Sequence, residues 1–141
     1  MKKMLMLLIC GAAVSARALD WMTDFAKAQA KAKTDNKLVV MDFTGSDWCP
    51  WCIKLEKEIL NTSDFEAFAK KSLVLVYVDF PRHKQLSAEQ KKTNEALSKK
   101  YSVEGFPTVI VLDKNGKKVS ELGYQEGGPK PFIAKLEKLQ K

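Results

Sequence analysis

Three runs of consecutive apolar residues divide the chain, and each has the length of a β-strand. They cover residues 38–43, 73–78 and 108–112. Because the apolar residues follow one another without alternation, the runs are typical of strands that are buried on both faces. An Asn-Gly pair at 115–116 follows the third run and favours a tight hairpin, which predicts a fourth strand over 117–123.

The segments around these runs are rich in helix-forming residues with apolar positions on one face. They predict helices over 20–33, 51–60, 64–70, 87–101 and 129–140. A helical connection between the first two strands makes that pair parallel, and the hairpin adds antiparallel strands. The expected fold is therefore α/β: a three-layer α/β/α sandwich around a mixed four-stranded central sheet.

The first 18 residues have the pattern of a secretory signal peptide. Basic residues at 2 and 3 precede an apolar run over 4–14, and small residues end in Ala16-Arg17-Ala18. The run is too short for a stable membrane anchor, which needs about 20 residues. We predict cleavage after Ala18, a folded domain over 19–141, and a periplasmic or secreted location.

Length and charge narrow the classes of function. A chain of 141 residues supports one domain with a substantial core. Removal of Lys2, Lys3 and Arg17 with the leader lowers the net charge from +7 to +4. The mature chain has no block of Lys and Arg interleaved with aromatic residues, so we expect no binding of nucleic acid.

The cysteines are the main candidates for chemistry. Of three in the chain, the two outside the leader lie in Cys49-Pro50-Trp51-Cys52. A structural bridge closing so short a loop would constrain the unfolded chain very little. As metal ligands, the pair and His83, the only histidine, give one ligand fewer than the four of a closed zinc site, although Cu(I) needs fewer. The third interpretation is a dithiol that opens and closes during a reaction.

The order of these motifs resembles the thioredoxin-like superfamily over about residues 38–141. An apolar strand leads into C-x-x-C at a helix start, a βα unit follows, and Gly105-Phe106-Pro107-Thr108 opens a hairpin strand before the last helix. The stretch over 45–52 is similar to exported, single-domain, disulfide-reductase-like members. The resemblance implies a thioredoxin-like sandwich and a redox-active Cys pair.

Catalytic roles follow from this resemblance. Cys49 would lie at the N-terminus of a helix, where free backbone N–H groups favour a thiolate, and would be the nucleophile. Cys52, one helical turn later, would resolve the mixed disulfide. Asp42 is an acid inside an apolar strand; the resemblance places it beneath Cys52 as a proton acceptor, whereas the alternative is a solvent-facing carboxylate. The lysine that neighbours this acid in thioredoxins has no evident equivalent over 73–78.

Four further residues are candidates for substrate binding. Pro107 resembles the family's cis-proline, which would leave the Phe106 backbone free to pair with an extended substrate; the alternative is a trans-proline that starts an edge strand. Trp48 and Trp51 flank the nucleophile. An exposed Trp51 would contact apolar parts of an unfolded chain, whereas core packing is the alternative, above all for Trp48.

The loop over 82–84, Arg-His-Lys, should lie at the same sheet edge as the cysteines, because parallel strands end together. It can place positive charge near the thiolate, although such loops are usually only solvated. Asp47 is expected to oppose the thiolate slightly, because it carries like charge.

We therefore predict an exported thiol–disulfide oxidoreductase that acts on protein substrates through Cys49 and Cys52, with reduction or isomerisation favoured over oxidation. The alternatives are a copper- or zinc-binding module and a redox-inert binding protein with the same fold. We expect no cofactor and no bound metal. The expected partners are proteins with disulfides or dithiols and a membrane redox protein, and the chain is expected to be a monomer.

Overall fold

The structure is a computed structural model that describes residues 19–140. The predicted signal peptide and its cleavage site lie outside the described residues. The central sheet is mixed, as expected, but it has five strands in the order β1-β3-β2-β4-β5. They are β1 (Trp21–Met22), β2 (Leu38–Thr44), β3 (Leu73–Asp79), β4 (Thr108–Leu112) and β5 (Lys118–Leu122). The expectation of four strands was wrong by one short edge strand.

The extra strand comes from a segment that the sequence assigned to the first helix. Asp24 caps that helix, since its side chain accepts a hydrogen bond from the Lys27 N–H. The helix therefore begins after Asp24, and the residues before it are extended. Trp21 pairs in parallel with Leu75 at the free edge of β3.

Helices cover both faces of the sheet. They are α1 (Phe25–Asp35), α2 (Pro50–Leu55), α3 (Ser63–Ser72), α4 (Ala88–Lys100) and α5 (Pro129–Leu139). The predicted helix over 51–60 is present, but its second half, Glu56–Leu60, is wound as a π-helix. Side chains of Thr62 and Ser87 cap α3 and α4, which confirms the predicted starts.

Two apolar cores lie on opposite faces of the sheet, because successive strand residues point to opposite sides. Val40 of β2 packs with α3 and α5 residues such as Phe65 and Phe132. Val39, its neighbour, packs on the other face with α1 and α4 residues such as Ala28 and Leu97. This double burial explains the uninterrupted apolar runs and confirms the predicted three-layer sandwich.

The register of the sheet brings the functional loops together. β2 and β3 are parallel, with Thr44 opposite Asp79, so the turn after β2 and the loop after β3 begin at the same end of the sheet. β4 is antiparallel to β2, with Thr108 opposite Phe43, so the segment before β4 lies at that end too. Residues 45–49, 80–86 and 105–107 therefore meet at one end of the sheet.

Candidate active site

The cysteine pair lies where the turn after β2 enters α2. Cys49 and Cys52 are joined in a disulfide, with Cα atoms 5.2 Å apart. Cys49 is the N-cap of α2, and the Cys52 N–H points to Cys49 Sγ at 3.3 Å. Cys52 is 1% exposed and Cys49 5%, and the Gly45 N–H lies 3.4 Å from Cys52 Sγ. Helix-end N–H groups of this kind stabilise negative charge on sulfur once the disulfide is reduced.

The segment before β4 packs against this disulfide. The Phe106–Pro107 peptide bond is cis. The Phe106 carbonyl oxygen lies 3.8 Å from Cys49 Sγ. The structure therefore brings Cys49, Phe106 and Pro107 together, as the sequence predicted.

Asp42 is a buried acid, and neither of its carboxylate oxygens has a hydrogen-bond partner among residues 19–140. It lies in the middle of β2, opposite Tyr77 of β3 and Val109 of β4. Burial, helped by the negative charges of Glu56 and Asp79, raises the pKa of Asp42 to about 8. Its side chain is buried rather than solvent-facing, and burial favours its protonated form.

The two tryptophans have different environments. The Trp48 indole N–H donates to the Phe80 carbonyl at 2.7 Å, and the Trp48 ring meets Phe106 edge-on at 6.1 Å between centroids. Trp48 is thus partly a packing residue. Trp51, in contrast, is 55% exposed beside the cysteines.

Gly45 makes room for Trp48. A Cβ atom at position 45 would lie 2.5 Å from Cε2 of the Trp48 indole. No local sequence signal marks this requirement, because it depends on how the turn brings the Trp48 indole back over Gly45.

Asp47 ties the active-site turn to the loop after β3. Its carboxylate accepts hydrogen bonds from the backbone N–H groups of Arg82, His83 and Lys84, at 2.9 to 3.0 Å. These bonds, the one from Arg82 first, lower the pKa of Asp47. The Arg82 guanidinium also stacks on the Trp48 ring, 3.7 Å from its centroid. The loop lies at the active-site edge, as expected, and Asp47 organises it.

A second tie lies deeper, at the end of β3. Asp79 is buried and accepts from both the backbone N–H and the hydroxyl of Ser46, at 3.0 and 2.6 Å. The Lys84 ammonium also forms a salt bridge with the Asp79 carboxylate, at 2.8 Å. The strand predicted from the sequence ended at residue 78, and Asp79 was not singled out. A second acid at the end of an apolar strand, like Asp42, was the available signal.

Glu56 and Tyr77 form another polar pair that the sequence did not single out. The Tyr77 hydroxyl donates to Glu56 at 2.8 Å. Burial, and then this hydrogen bond, raise the pKa of Tyr77 above its ordinary value. The pair supplies polar groups in the neighbourhood of Asp42, since Tyr77 lies opposite Asp42 in the sheet and the charge of Glu56 acts on its carboxyl group.

The geometry bears on the metal-binding alternative. Within residues 19–140, no three His, Cys, Asp or Glu side chains form a cluster suited to a metal ion. A closed zinc site needs four ligands, and the cysteine pair has no third partner there.

In the same part of the chain, no helix has the length and apolar character needed to cross a membrane.

Comparison with known proteins identifies the architecture. A family model described as a thioredoxin-like domain matches residues 25–140. The chain is 38% identical to the disulfide bond reductase DsbH of Chlamydia pneumoniae over 123 residues, which cover 87% of this chain and 74% of the relative. A solved structure of a DsbH oxidoreductase superposes with a TM-score of 0.82 at 35% identity, covering 98% of this chain and 93% of that one. The disulphide isomerase of Xylella fastidiosa Temecula1 shares the fold at a TM-score of 0.62 and 24% identity, covering 85% of this chain and 99% of its own.

Proposed function

This chain belongs to the thioredoxin-like domain family, and on that premise we propose that it is a disulfide reductase of exported proteins. It is a thiol–disulfide oxidoreductase whose reacting pair is Cys49 and Cys52. The proposal adds the direction of electron flow, the compartment and the role of each residue. The observation that carries it is the disulfide at the start of α2, with the Cys52 N–H directed at Cys49 Sγ.

In the reaction, the Cys49 thiolate attacks one sulfur of a substrate disulfide. A bond forms between Cys49 and that sulfur, and the second substrate sulfur leaves as a thiolate that takes a proton from solvent. The Cys52 thiolate then attacks Cys49 Sγ and releases the first substrate sulfur. Two electrons have passed from the protein dithiol to the substrate, and the Cys49–Cys52 disulfide remains.

Each cysteine has surroundings that suit its role. The Cys52 N–H at the start of α2 points at Cys49 Sγ and stabilises the thiolate without needing to reorganise. Cys52 is the more buried of the two and attacks only within the mixed disulfide. In its ionised form, Asp42 accepts the Cys52 proton through water; the pKa of Asp42, about 8, is close to that of a thiol, so the proton can pass between the two groups.

The charges around the site favour reduction over oxidation. A strong oxidant of this family is one whose reduced, thiolate form is strongly stabilised. Within residues 19–140, the only hydrogen-bond donor to Cys49 Sγ is the Cys52 N–H. The nearby Arg82 stacks on Trp48, and Lys84 forms a salt bridge with Asp79. The contacts of both cations are therefore with groups other than Cys49 Sγ. A weakly stabilised thiolate corresponds to a reducing centre.

The protein substrate would bind across the surface formed by Trp48, Trp51, Phe106 and Pro107. The exposed Trp51 indole offers apolar contact, and the Phe106 backbone next to Cys49 offers pairing with an extended chain. The signal-peptide pattern over 1–18 supports export to the periplasm or beyond. In that compartment the oxidised pair has to be reduced again by another dithiol, which we assign to a membrane redox protein, with this chain acting as a monomer.

Two measurements test the proposal together. Equilibration with glutathione buffers gives the reduction potential of the pair, and insulin precipitation gives reductase activity. A reductase has a potential near that of thioredoxin, about −270 mV, whereas a strong oxidant lies near about −120 mV. Cys49→Ser has to abolish insulin reduction. A potential near the oxidant value, or a wild-type protein that leaves insulin intact, contradicts the proposal.

A further inference from the structure

Beside the disulfide, the substrate-binding candidate Trp51 contacts Tyr124, which has no role in the chemistry proposed above. The rings of Trp51 and Tyr124 lie 5.3 Å apart between centroids, at an angle of 42°. The Lys54 ammonium lies 5.1 Å from the centroid of each ring. We call the two rings the Trp51–Tyr124 platform.

Tyr124 is the fixed member of the platform. Its hydroxyl donates to the Glu58 carboxylate at 2.5 Å, and this hydrogen bond raises the pKa of Tyr124. Its ring also packs against the core on the α3 and α5 side of the sheet. Among residues 19–140, the Trp51 side chain has no such hydrogen bond, and it is 55% exposed. Its orientation therefore depends on the neighbours that contact the indole, Tyr124 and Lys54.

The platform adjoins the position of the reacting sulfur. Trp51 is two residues after Cys49 and in the first turn of the same helix. Gly123, directly before Tyr124, lies against the cis-proline segment, since a Cβ atom there would be 3.8 Å from the Pro107 carbonyl oxygen. The platform thus lies next to the cis-proline segment on the Tyr124 side and next to the nucleophile on the Trp51 side.

The position of the substrate cysteine in the mixed disulfide determines which substrate residues lie near the Trp51–Tyr124 platform. In the mixed disulfide the substrate cysteine is bonded to Cys49 Sγ, so the chain on either side of it has to cross the adjoining surface. An extended chain advances about 3.3 Å per residue, so the residues next to the cysteine fall within reach of the two rings. Lys54 and Glu58 lie 3.9 Å apart and offset each other's charge. The platform therefore offers mainly apolar contact.

We propose that Tyr124 determines specificity by holding the Trp51 indole in place, so that the indole binds an aromatic or branched aliphatic side chain next to the reacting cysteine of the substrate. This inference rests on the proposed reductase function. Tyr124 acts through Trp51 as a positioning residue and takes no part in electron transfer. Loss of the tyrosine ring would remove the preference for apolar neighbours and leave the chemistry of the sulfurs unchanged.

The test uses two disulfide-linked peptides that differ only in the residue next to the cysteine, Leu in one and Ser in the other. Hydroxyethyl disulfide, which is too small to reach the platform, reports the chemical step alone. The reduced wild-type protein, Tyr124→Ala and Tyr124→Phe are compared by kcat/KM on all three substrates. Tyr124→Leu, which keeps apolar volume against the core, replaces Tyr124→Ala if the alanine variant does not fold.

We expect the wild-type protein to prefer the Leu peptide by about tenfold, the lower end of the range for apolar contact in an enzyme pocket. Tyr124→Ala should lose this preference and keep the wild-type rate on hydroxyethyl disulfide, whereas Tyr124→Phe, which retains the ring, should keep the preference. Equal rates of the wild-type protein on the two peptides would overturn the inference, as would a preference that survives in Tyr124→Ala or disappears in Tyr124→Phe. Failure of the wild-type protein to reduce hydroxyethyl disulfide would instead refute the reductase function.

Discussion

The buried Asp42 should make this protein less stable as the pH rises from 4 to 8, and Asp42→Asn should remove that effect. In the unfolded chain the carboxyl group ionises near its ordinary pKa of 3.8, but in the folded protein its pKa is about 8. Between these values the folded state binds more protons than the unfolded state, so the free energy of unfolding falls with increasing pH. Below pH 4 both states are protonated and the cost disappears.

The size of the effect follows from the two pKa values. Each pH unit between them costs the folded state about 1.4 kcal/mol, so the cost near pH 7 is about 4 kcal/mol larger than near pH 4. Because pH 7 lies below the folded pKa, this figure depends mainly on the unfolded value. The asparagine amide is also buried, but its cost does not vary with pH and cancels when the two pH values are compared.

The assay is urea unfolding of the oxidised wild-type protein and Asp42→Asn at pH 4 and pH 7, at one ionic strength. The stability of the variant relative to the wild-type protein should rise by about 4 kcal/mol between these two pH values. Asp64→Asn, at an exposed position of α3, is the matched control and should show no comparable gain. A difference between Asp42→Asn and wild type that stays constant from pH 4 to pH 7 would refute the reasoning.

Three further predictions concern the turn and the resolving cysteine. Cys52→Ser should stall as a mixed disulfide with its protein substrate, visible on a non-reducing gel; normal turnover would exclude Cys52 as the resolving group. Gly45→Ala should force the Trp48 indole away, change the near-ultraviolet circular dichroism and cost about 1–3 kcal/mol in urea unfolding, and an unchanged spectrum would contradict the close approach. Asp47→Ala should free the loop over 82–84 and speed its cleavage by trypsin, whereas Asp47→Asn, which keeps acceptor capacity, should have a smaller effect; equal cleavage rates in all three proteins would count against the tie.

Local pattern predicted most of the fold because the strands are buried on both faces and the helix caps are local. The uninterrupted apolar run of β3 and the Ser87 side chain that caps α4 can both be read from neighbouring residues. The edge strand β1 could not be read in this way. Two residues pair with β3 only because the sheet leaves that edge free, and in sequence they continue the helical pattern of α1.

The residues of the site likewise fall into those that local sequence revealed and those whose contacts are distant in sequence. Cys49 and Cys52 are close in sequence, so their spacing revealed them, and Asp42 was visible as an acid within an apolar strand. The contacts of Asp47 lie 35 to 37 residues further along the chain, and those of Tyr124 lie 66 residues back at Glu58. Nothing in the local sequence of Asp47 or Tyr124 marks these partners, because only the folded chain brings them close together.

The most direct test of the proposed chemistry is the pH dependence of alkylation of the reduced protein by iodoacetamide, with the modified residue identified by mass spectrometry. Cys49 should react first, with a rate midpoint at least about one pH unit below the value near 8.5 of a free cysteine, and Cys52 should stay protected. A midpoint for Cys49 at the free-cysteine value, or faster alkylation of Cys52, would contradict the assignment of Cys49 as the thiolate nucleophile.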